Sequence, residues 1–228
     1  MKNLIFLVSA IFIAVFVACS GDSKKSDGSA DTTKTGDSTK NTSENKGKYN
    51  LKSGIISFDI ETMNMVQKMT KYFDDYGDKE CDETISSMDL GMAGKVETHT
   101  KMLTLDGYIY NINFTNKTGT KSKITPNAKG KSDNIDFNNL SADIMKEMHI
   151  TKEGTETVLQ KTCDKYKMDN PELNMKSSYC VWDGIPLKFE VNMAGAIAKY
   201  NATKIEENVS VPAEKFEIPK DIKITEMK

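Results

Sequence analysis

The sequence predicts a mainly β fold of the α+β class, a curled antiparallel sheet or an incomplete β-barrel with one short helical segment. Three observations predict it. Apolar and polar residues alternate over short stretches such as residues 54–60, where Ile56, Phe58 and Ile60 share one face. Turn signals such as Asp106-Gly107 separate these stretches. Only one stretch has helical spacing, so strands at short intervals dominate the chain.

Two hairpins are predicted in the first half of the folded part. Residues 54–60 and 66–73 form the first hairpin, which ends at the turn signals of residues 74–77. Residues 95–105 and 108–114 form the second hairpin, because Asp106-Gly107 between them favours a two-residue turn. One face of its second strand is predicted to be core and carries Tyr108, Tyr110, Ile112 and Phe114.

The polar segments beside these hairpins are predicted to lack strands. The acidic residues 78–83 are interpreted as a solvated turn next to a strand, with a catalytic carboxylate pair as the alternative. Residues 115–137 are polar and are interrupted by Gly119, Pro126 and Gly130, which favours a loop or a ragged connection.

The second half is predicted to contain the helix and the remaining strands. Ser141 caps a short helix over residues 142–149, in which Ile144, Met145 and Met148 have helical spacing. Extended segments follow at short intervals: 155–168, 176–182, 186–193, 198–206 and, after Pro212, a closing segment with Phe216, Ile218, Ile222 and Ile224.

The first nineteen residues have the features of a bacterial lipoprotein signal peptide. Lys2 precedes an apolar run over residues 4–18, which as a helix would reach about 22 Å, short of the ~30 Å hydrocarbon core of a membrane. Ala18 directly before Cys19 resembles the lipobox, although Phe16 stands where Leu is usual. We therefore expect residues 1–18 to be removed and Cys19 to carry the lipid, palmitate included. An incidental thiol beside an ordinary cleavage site is the alternative.

A tether and one domain are predicted after the lipidation site. Residues 20–48 contain no aromatic residue and no Val, Ile, Leu or Met, so they cannot bury enough apolar area to offset the entropy of ordering. Residues 19–48 are expected to form a disordered tether with a reach of about 30 Å. Residues 49–228 are expected to form a single domain held at a membrane of the cell envelope. Ser20 after Cys19 favours the outer membrane, with the domain in the periplasm.

Export to an oxidising compartment makes a disulfide between Cys163 and Cys180 the predicted state of these residues. A turn-rich stretch lies midway between them, so a symmetric hairpin would place them directly opposite, within disulfide range. Such a bridge would contribute about 3 kcal/mol in the chain-entropy model. Two buried, reduced cysteines are the alternative. Cys81 is left unpaired, and its acidic neighbours make it a poor nucleophile.

The sequence predicts neither catalysis nor a cofactor. Serine-hydrolase, zinc-protease, P-loop and dinucleotide-binding motifs are absent. The 13 methionines are expected to fill the core or line an adaptable cavity. A copper site completed by His99 or His149 is one alternative, and calcium bound by the acids around Gly77 is another. Neither matches a known ligand spacing, so no metal site is predicted.

Three further features concern partners. The formal net charge of the chain is −2, and without a basic stripe no nucleic-acid partner is expected. Trp182 is expected to anchor the core, with a ligand-stacking role as the alternative. His149 is expected to interact with the C-terminal dipole of the short helix.

Three segments resemble an uncharacterised family of exported bacterial lipoproteins: residues 72–77 (YFDDYG), 154–163 (GTETVLQKTC) and 182–188 (WDGIPLK). Trp182, the PLK of residues 186–188 and the order of the late strands resemble, more distantly, the LolA/LolB group of periplasmic lipoprotein carriers. That resemblance implies an incomplete antiparallel barrel whose helices close an apolar cavity. The chain departs from LolA in its tether and in having no arginine.

Together these features predict a non-enzymatic envelope lipoprotein that binds an apolar ligand or a lipidated partner in a half-barrel cavity. The alternative is a structural or interaction module that docks another envelope protein through its sheet, without a cavity. No ligand-binding residue is singled out by the sequence. An exposed pocket lined by Met, Phe, Tyr and Ile would favour the first form.

Overall fold

The computed structural model describes residues 47–62, 65–89, 91–124, 135–172 and 174–227. These belong to one compact unit. The predicted signal peptide 1–18, Cys19 and the tether up to residue 46 lie outside the described residues. No helix in the described ranges has both the length and the apolar character needed to cross a membrane.

The predicted fold class is confirmed, because the described residues form one curled twelve-stranded sheet whose two edge strands do not pair with each other. The strands are β1 (Gly54–Thr62), β2 (Met65–Asp74), β3 (Lys79–Asp89), β4 (Lys95–Leu105), β5 (Tyr108–Asn113), β6 (Thr118–Lys123), β7 (Ile150–Val158), β8 (Lys161–Asn170), β9 (Met175–Trp182), β10 (Ile185–Met193), β11 (Ala196–Glu207) and β12 (Lys223–Glu226). Their order is β12-β6-β5-β4-β3-β2-β1-β11-β10-β9-β8-β7. All neighbours are antiparallel except β12, which runs parallel to β6.

The short helix α1 (Ala142–Glu147) is two residues shorter than predicted. The predicted cap is confirmed, since the Ser141 hydroxyl accepts a hydrogen bond from the Ile144 amide at 3.2 Å. His149 follows with a φ of 54°, a left-handed conformation that ends the helix and leads into β7.

Two polar segments that were predicted to lack strands are strands, so both predictions were wrong. Residues 79–83 belong to β3, where Glu80 is 6% exposed and its charge is compensated by two lysines. Residues 118–123 form β6, whose backbone pairs with both β5 and β12. Gly119 leaves room in this strand for the end of the Ile224 side chain, from which a Cβ would lie 2.7 Å, and for the Asn111 carbonyl oxygen at 3.0 Å.

The segment 155–168, predicted as one extended stretch, is divided between β7 and β8. Leu159 and Gln160 form the turn, with φ values of 49° and 63°. Turns of this kind usually carry Gly, Asn or Asp, so the sequence gives no signal for this one.

Opposite faces of the sheet are covered at its two sides. Residues that pair directly on neighbouring strands lie on the same face of the sheet. A line of such pairs connects Tyr179 on β9 with Thr98 on β4 by way of β10, β11, β1, β2 and β3, so Tyr179 and Thr98 mark one face. Residues 135–148 pack on that face over β8–β10. The chain from residue 211 to 224 packs on the other face over β3–β6, against Leu103 and Tyr110. A third apolar cluster, centred on Ile56, Phe58 and Leu187, lies between these two regions.

Candidate binding groove at the tether end of the sheet

Four hairpin turns lie at one end of the sheet: 74–79, 105–108, 158–161 and 182–185. The N-terminal segment, residues 47–53, joins this end. The Tyr49 amide donates to the Tyr76 carbonyl at 2.9 Å, and the Asn50 amide donates to the Asp183 carbonyl at 3.0 Å. We call this the tether end, because the predicted tether leads into it.

Gly47 and Lys48, which were predicted to belong to the tether, lie in the folded unit. A buried charge cluster holds this segment. The Lys48 Nζ lies 2.5 Å from the Glu80 carboxylate, and the Tyr49 hydroxyl donates to the same carboxylate at 2.7 Å. Lys71 lies between Glu80 and Asp82, at 3.0 and 2.8 Å. Two lysines and two carboxylates therefore fix the root of the tether on β2 and β3.

The electrostatics of the charge cluster favour the ionised forms of Glu80 and Lys71 but not that of Asp82. Burial works to raise the pKa of Glu80, but Lys48 and Lys71 outweigh it and lower that pKa to about 2. Burial works to lower the pKa of Lys71, but Asp82 and Glu80 raise it well above its usual value. Burial raises the pKa of Asp82 despite the Lys71 contact.

Acid should weaken the folded state through Glu80. Its pKa is lowered by folding, so its contribution is complete above the ordinary value of 4.5 and is lost as the pH falls through about 2. Asp82, with a raised pKa, offsets part of this loss when it takes up a proton. We expect the urea concentration at the unfolding midpoint to decrease as the pH is lowered from about 4.5 to about 2. A midpoint that is constant over this window would contradict the assignment.

A groove of about 390 Å³ opens at the tether end, where the N-terminal segment, the segment after residue 135, β8 and the β9–β10 turn meet. Its lining combines polar side chains with aromatic rings: Asn50, Phe137, Asn138, Thr162, Asp164, Tyr166, Val181, Trp182, Asp183 and Gly184.

A hydrogen-bond network builds the wall of the groove. The Asn138 side-chain amide donates to the Lys48 carbonyl at 2.9 Å and to the Asn50 side chain at 3.3 Å. Asn50 in turn donates to the Asp183 carboxylate at 3.4 Å. Asp136 positions Asn138, because its carboxylate accepts a hydrogen bond from the Asn138 backbone amide at 3.1 Å. The root of the tether is therefore one wall of the groove.

The β9–β10 turn brings these groups together because it is tight. Asp183 and Gly184 have φ values of 50° and 81°, the conformation of a two-residue hairpin turn. A Cβ on Gly184 would lie 2.6 Å from both the Asn138 amide and the Lys48 carbonyl. Glycine here allows the N-terminal segment and Asn138 to approach the turn.

Trp182 packs on the core, as expected, and its side chain also reaches the groove. It is half-buried against the central apolar cluster, and it also lines the groove. The Lys161 Nζ lies 4.3 Å from the centroid of its ring. Trp182 was singled out from the sequence, whereas the polar groups around it were missed. Their one sequence signal is the Asp183-Gly184 turn directly after the tryptophan.

The predicted disulfide partners are close together but not directly opposite. Cys180 pairs with Lys165, so Cys163 is a diagonal neighbour on the same face, and the symmetric register predicted from the sequence was wrong. The hairpin is centred one residue later along the chain than the midpoint between the two cysteines. Both are buried, free thiols in this structure, 0% and 3% exposed.

The bridge between Cys163 and Cys180 stays a prediction. The two thiols contact each other, and burial raises the pKa of Cys180 to about 12. Peptide mapping of the alkylated, unreduced protein from the envelope checks it, and we expect a cross-linked pair of peptides. Alkylation of both residues only after unfolding, without any linked pair, would show two reduced cysteines.

The remaining sequence candidates lie apart from the groove. Cys81 is fully buried, and its burial raises its pKa to about 12. His99 stacks on Phe114 with ring centroids 4.4 Å apart. In the described parts of the chain, no three His, Cys, Asp or Glu side chains gather as metal ligands. Five methionines contribute to the apolar cluster beneath residues 135–148: Met145, Met148, Met168, Met175 and Met193.

The pockets differ from the apolar half-barrel cavity predicted from the sequence. A second pocket of about 300 Å³ is lined largely by charged residues of β7–β11, such as Glu156, Lys165 and Lys188. The apolar face between the covered regions is occupied by its own side chains. Phe189 and Tyr200 stack with centroids 4.1 Å apart, and Phe58 is 1% exposed.

Comparison with solved structures identifies a similar fold over most of the chain. An uncharacterised conserved protein from Thermus thermophilus aligns with a TM-score of 0.50 and 11% identity, over 78% of this chain and 92% of that protein. The two proteins share a fold. The chain therefore shares its architecture with an uncharacterised conserved protein, in line with the predicted resemblance to an uncharacterised group. No family model and no curated protein matches the sequence.

Two other solved structures align at lower scores. MucB of Pseudomonas aeruginosa, solved in complex with MucA, aligns with a TM-score of 0.42 and 9% identity, over 76% of this chain and 58% of that one. A domain named for outer membrane lipoprotein sorting, from Vibrio parahaemolyticus, has a TM-score of 0.27 and 10% identity, over 72% and 89% of the chains. Likenesses at this level carry no residue role to the present chain.

Proposed function

We propose that this protein is a lipid-anchored protein of the bacterial cell envelope that binds a ligand or a partner at the tether-end groove and catalyses no reaction. The observation that carries the proposal is the position of the groove. Its wall is formed by the first described residues of the chain, so whatever binds there lies on the side of the domain from which the predicted tether leaves.

The chemistry of the groove supports binding. A groove of several hundred cubic ångströms has the size of a small-molecule site, and its convergent polar groups make its lining more polar than that of most such sites. The buried thiols are poor nucleophiles, since burial raises the pKa of Cys81, Cys163 and Cys180.

The groove favours a polar ligand, or the polar part of an amphipathic one, over an acyl chain. An apolar ligand in a half-barrel cavity, the first form of the sequence prediction, requires a mainly apolar lining of Met, Phe, Tyr and Ile, whereas both described pockets combine aromatic rings with many polar side chains and contain no Met or Ile. Docking of another envelope protein through the sheet remains the second form of the proposal.

Native mass spectrometry of the full-length protein, extracted in mild detergent, tests binding at the groove. We expect an added mass that is lost in Asp164→Ala, since Asp164 lines the groove and its ion-pair partner, Lys152, is half exposed. Asp169→Ala is the matched control, because Asp169 lies on the same strand and pairs with exposed Lys176 outside the groove. A clean apo mass, or equal losses in the two variants, would overturn binding at this site.

Anchoring makes a separate prediction. Cys19→Ser removes the residue that would carry the lipid, so the protein should move from the membrane fraction to the soluble fraction of the envelope. Fractionation followed by immunoblotting measures this. Continued membrane retention of the variant would contradict lipidation as the anchor, and co-fractionation of the natural protein with the inner membrane would contradict an outer-membrane location.

A further inference from the structure

The charge of the groove disfavours anionic ligands. Its lining contains two carboxylates, Asp164 and Asp183, and no lysine among the described residues. The two nearby lysines already have partners. Lys152 pairs with Asp164 at 2.7 Å, and Lys161 pairs with Glu207 at 2.6 Å while covering the Trp182 ring. Phosphate and carboxylate ligands are usually held by such cations, so the groove is poorly suited to an anionic ligand. Since Lys152 already neutralises Asp164, that carboxylate does not need a cationic ligand either.

The polar groups match a ligand that has several hydroxyls. Carboxylates accept hydrogen bonds, carboxamides both donate and accept, and a threonine hydroxyl does either. The groove supplies carboxylates in Asp164 and Asp183 and a hydroxyl in Thr162, while Asn50 and Asn138 hold the wall together and offer only the polar atoms that the wall does not use. Adjacent hydroxyls on a ring, each a donor and an acceptor, can satisfy such a mixed set.

Two partly exposed aromatic side chains favour a ligand that also has apolar faces. Tyr166 and Trp182 present these rings at the groove, whereas Phe137 and Val181 are buried beneath it, 7% and 6% exposed. Phe137 and Tyr166 contact each other, with centroids 5.3 Å apart. A ligand whose edges are polar and whose faces are C–H groups satisfies rings and polar side chains at once, which neither an acyl chain nor an inorganic ion does.

The geometry points to a neutral saccharide as the ligand of this groove. The inference rests on the proposed function, since it names the ligand class for the same site. A saccharide could come from a glycan of the envelope or from the headgroup of a glycolipid, and both present the same chemistry. Because the root of the tether forms the wall, the saccharide is held on the side of the domain that leads to the anchor.

The chain contains one tryptophan, so its emission reports on the groove directly. The full-length protein in a detergent without a sugar headgroup would be titrated with N,N′-diacetylchitobiose and with maltose at millimolar concentrations. A second arm uses phosphatidylcholine vesicles with and without monogalactosyldiacylglycerol. We expect a saturable change in Trp182 emission in at least one arm. Isothermal titration calorimetry confirms that the change is binding.

The variants separate the groove from general surface effects. Asp183→Asn removes a charged acceptor while Asn still tolerates the left-handed turn, and we expect about tenfold weaker binding. Asp106→Asn is the matched control. Asp106 also precedes a glycine in a two-residue turn at the same end of the sheet, with a φ of 51°, and does not line the groove. The affinity of the Asp106→Asn variant for the saccharide should be unchanged.

Each outcome decides the saccharide inference. Binding of the soluble sugars supports it with a glycan as the source, and binding only of the galactolipid vesicles supports it with a headgroup as the source. Equal responses to vesicles with and without the sugar would overturn it, as would equal effects of the two aspartate variants. Absence of any response, while native mass spectrometry still finds an added mass lost in Asp164→Ala, would overturn the saccharide and leave the proposed function standing.

Discussion

Glu80→Gln should destabilise the domain by about 3–5 kcal/mol. Glu80 is 6% exposed and is the shared partner of Lys48, Lys71 and the Tyr49 hydroxyl. The neutral amide leaves two buried ammonium groups with Asp82 as the one remaining acid of the cluster, and removing one partner of a buried charge pair carries this order of cost. Urea unfolding of the full-length protein, followed by Trp182 emission, measures the change.

A surface pair provides the control for Glu80. Glu190 lies 3.6 Å from Lys199, with both side chains about half exposed. Glu190→Gln should therefore change the free energy of unfolding by less than about 1 kcal/mol. If Glu80→Gln has an equally small effect, the charge cluster does not hold the N-terminal segment. The acid-dependent loss of stability should also be reduced in Glu80→Gln.

Gly184→Ala should destabilise the protein by about 2–4 kcal/mol and distort the groove. A left-handed backbone costs a non-glycine residue about 1 kcal/mol or more, and the new methyl group would lie 2.6 Å from Asn138 and from the Lys48 carbonyl. Ligand binding should be lost together with this stability. Calorimetry and urea unfolding measure the two effects.

Gly107→Ala separates backbone strain from steric overlap. Gly107 also follows an aspartate in a two-residue turn, with a φ of 76°, but a Cβ added there would have no atom of the described residues within 4 Å. We expect a loss of about 1 kcal/mol and unchanged binding. Equal effects of the two substitutions would mean that the close approach of Asn138 and Lys48 to the turn is not required.

Alternating strands and glycine turns could be predicted from the sequence because their signals are local. The face of β5 with Tyr110 and Ile112 is core as expected, and Asp106-Gly107 is a turn. β3 and β6 could not be predicted in this way. Glu80 is tolerated inside a sheet because Lys48 and Lys71 come from other segments, and the polar β6 is a strand because its backbone pairs with β5 and with β12 from the end of the chain.

The groove, too, could be predicted only where its sequence signals are local. Trp182 could be named from the sequence because a lone tryptophan beside a turn is conspicuous. Asn50, Asn138 and Asp164 are ordinary polar residues in sequence, and they form a site only because the turn at Gly184 draws three distant segments together. The offset of Cys163 from Cys180 is likewise set by where the β8–β9 turn closes, which composition alone does not determine.

The central claim, that the tether-end groove is the binding site in the envelope, is tested most directly by hydrogen exchange. The full-length protein is compared in membranes of the producing cells and after purification in detergent. We predict slower exchange in membranes for residues 135–140, 162–166 and 181–185, with little change in β5. Equal exchange of these three segments in both states, or protection confined to other parts of the sheet, would contradict the account.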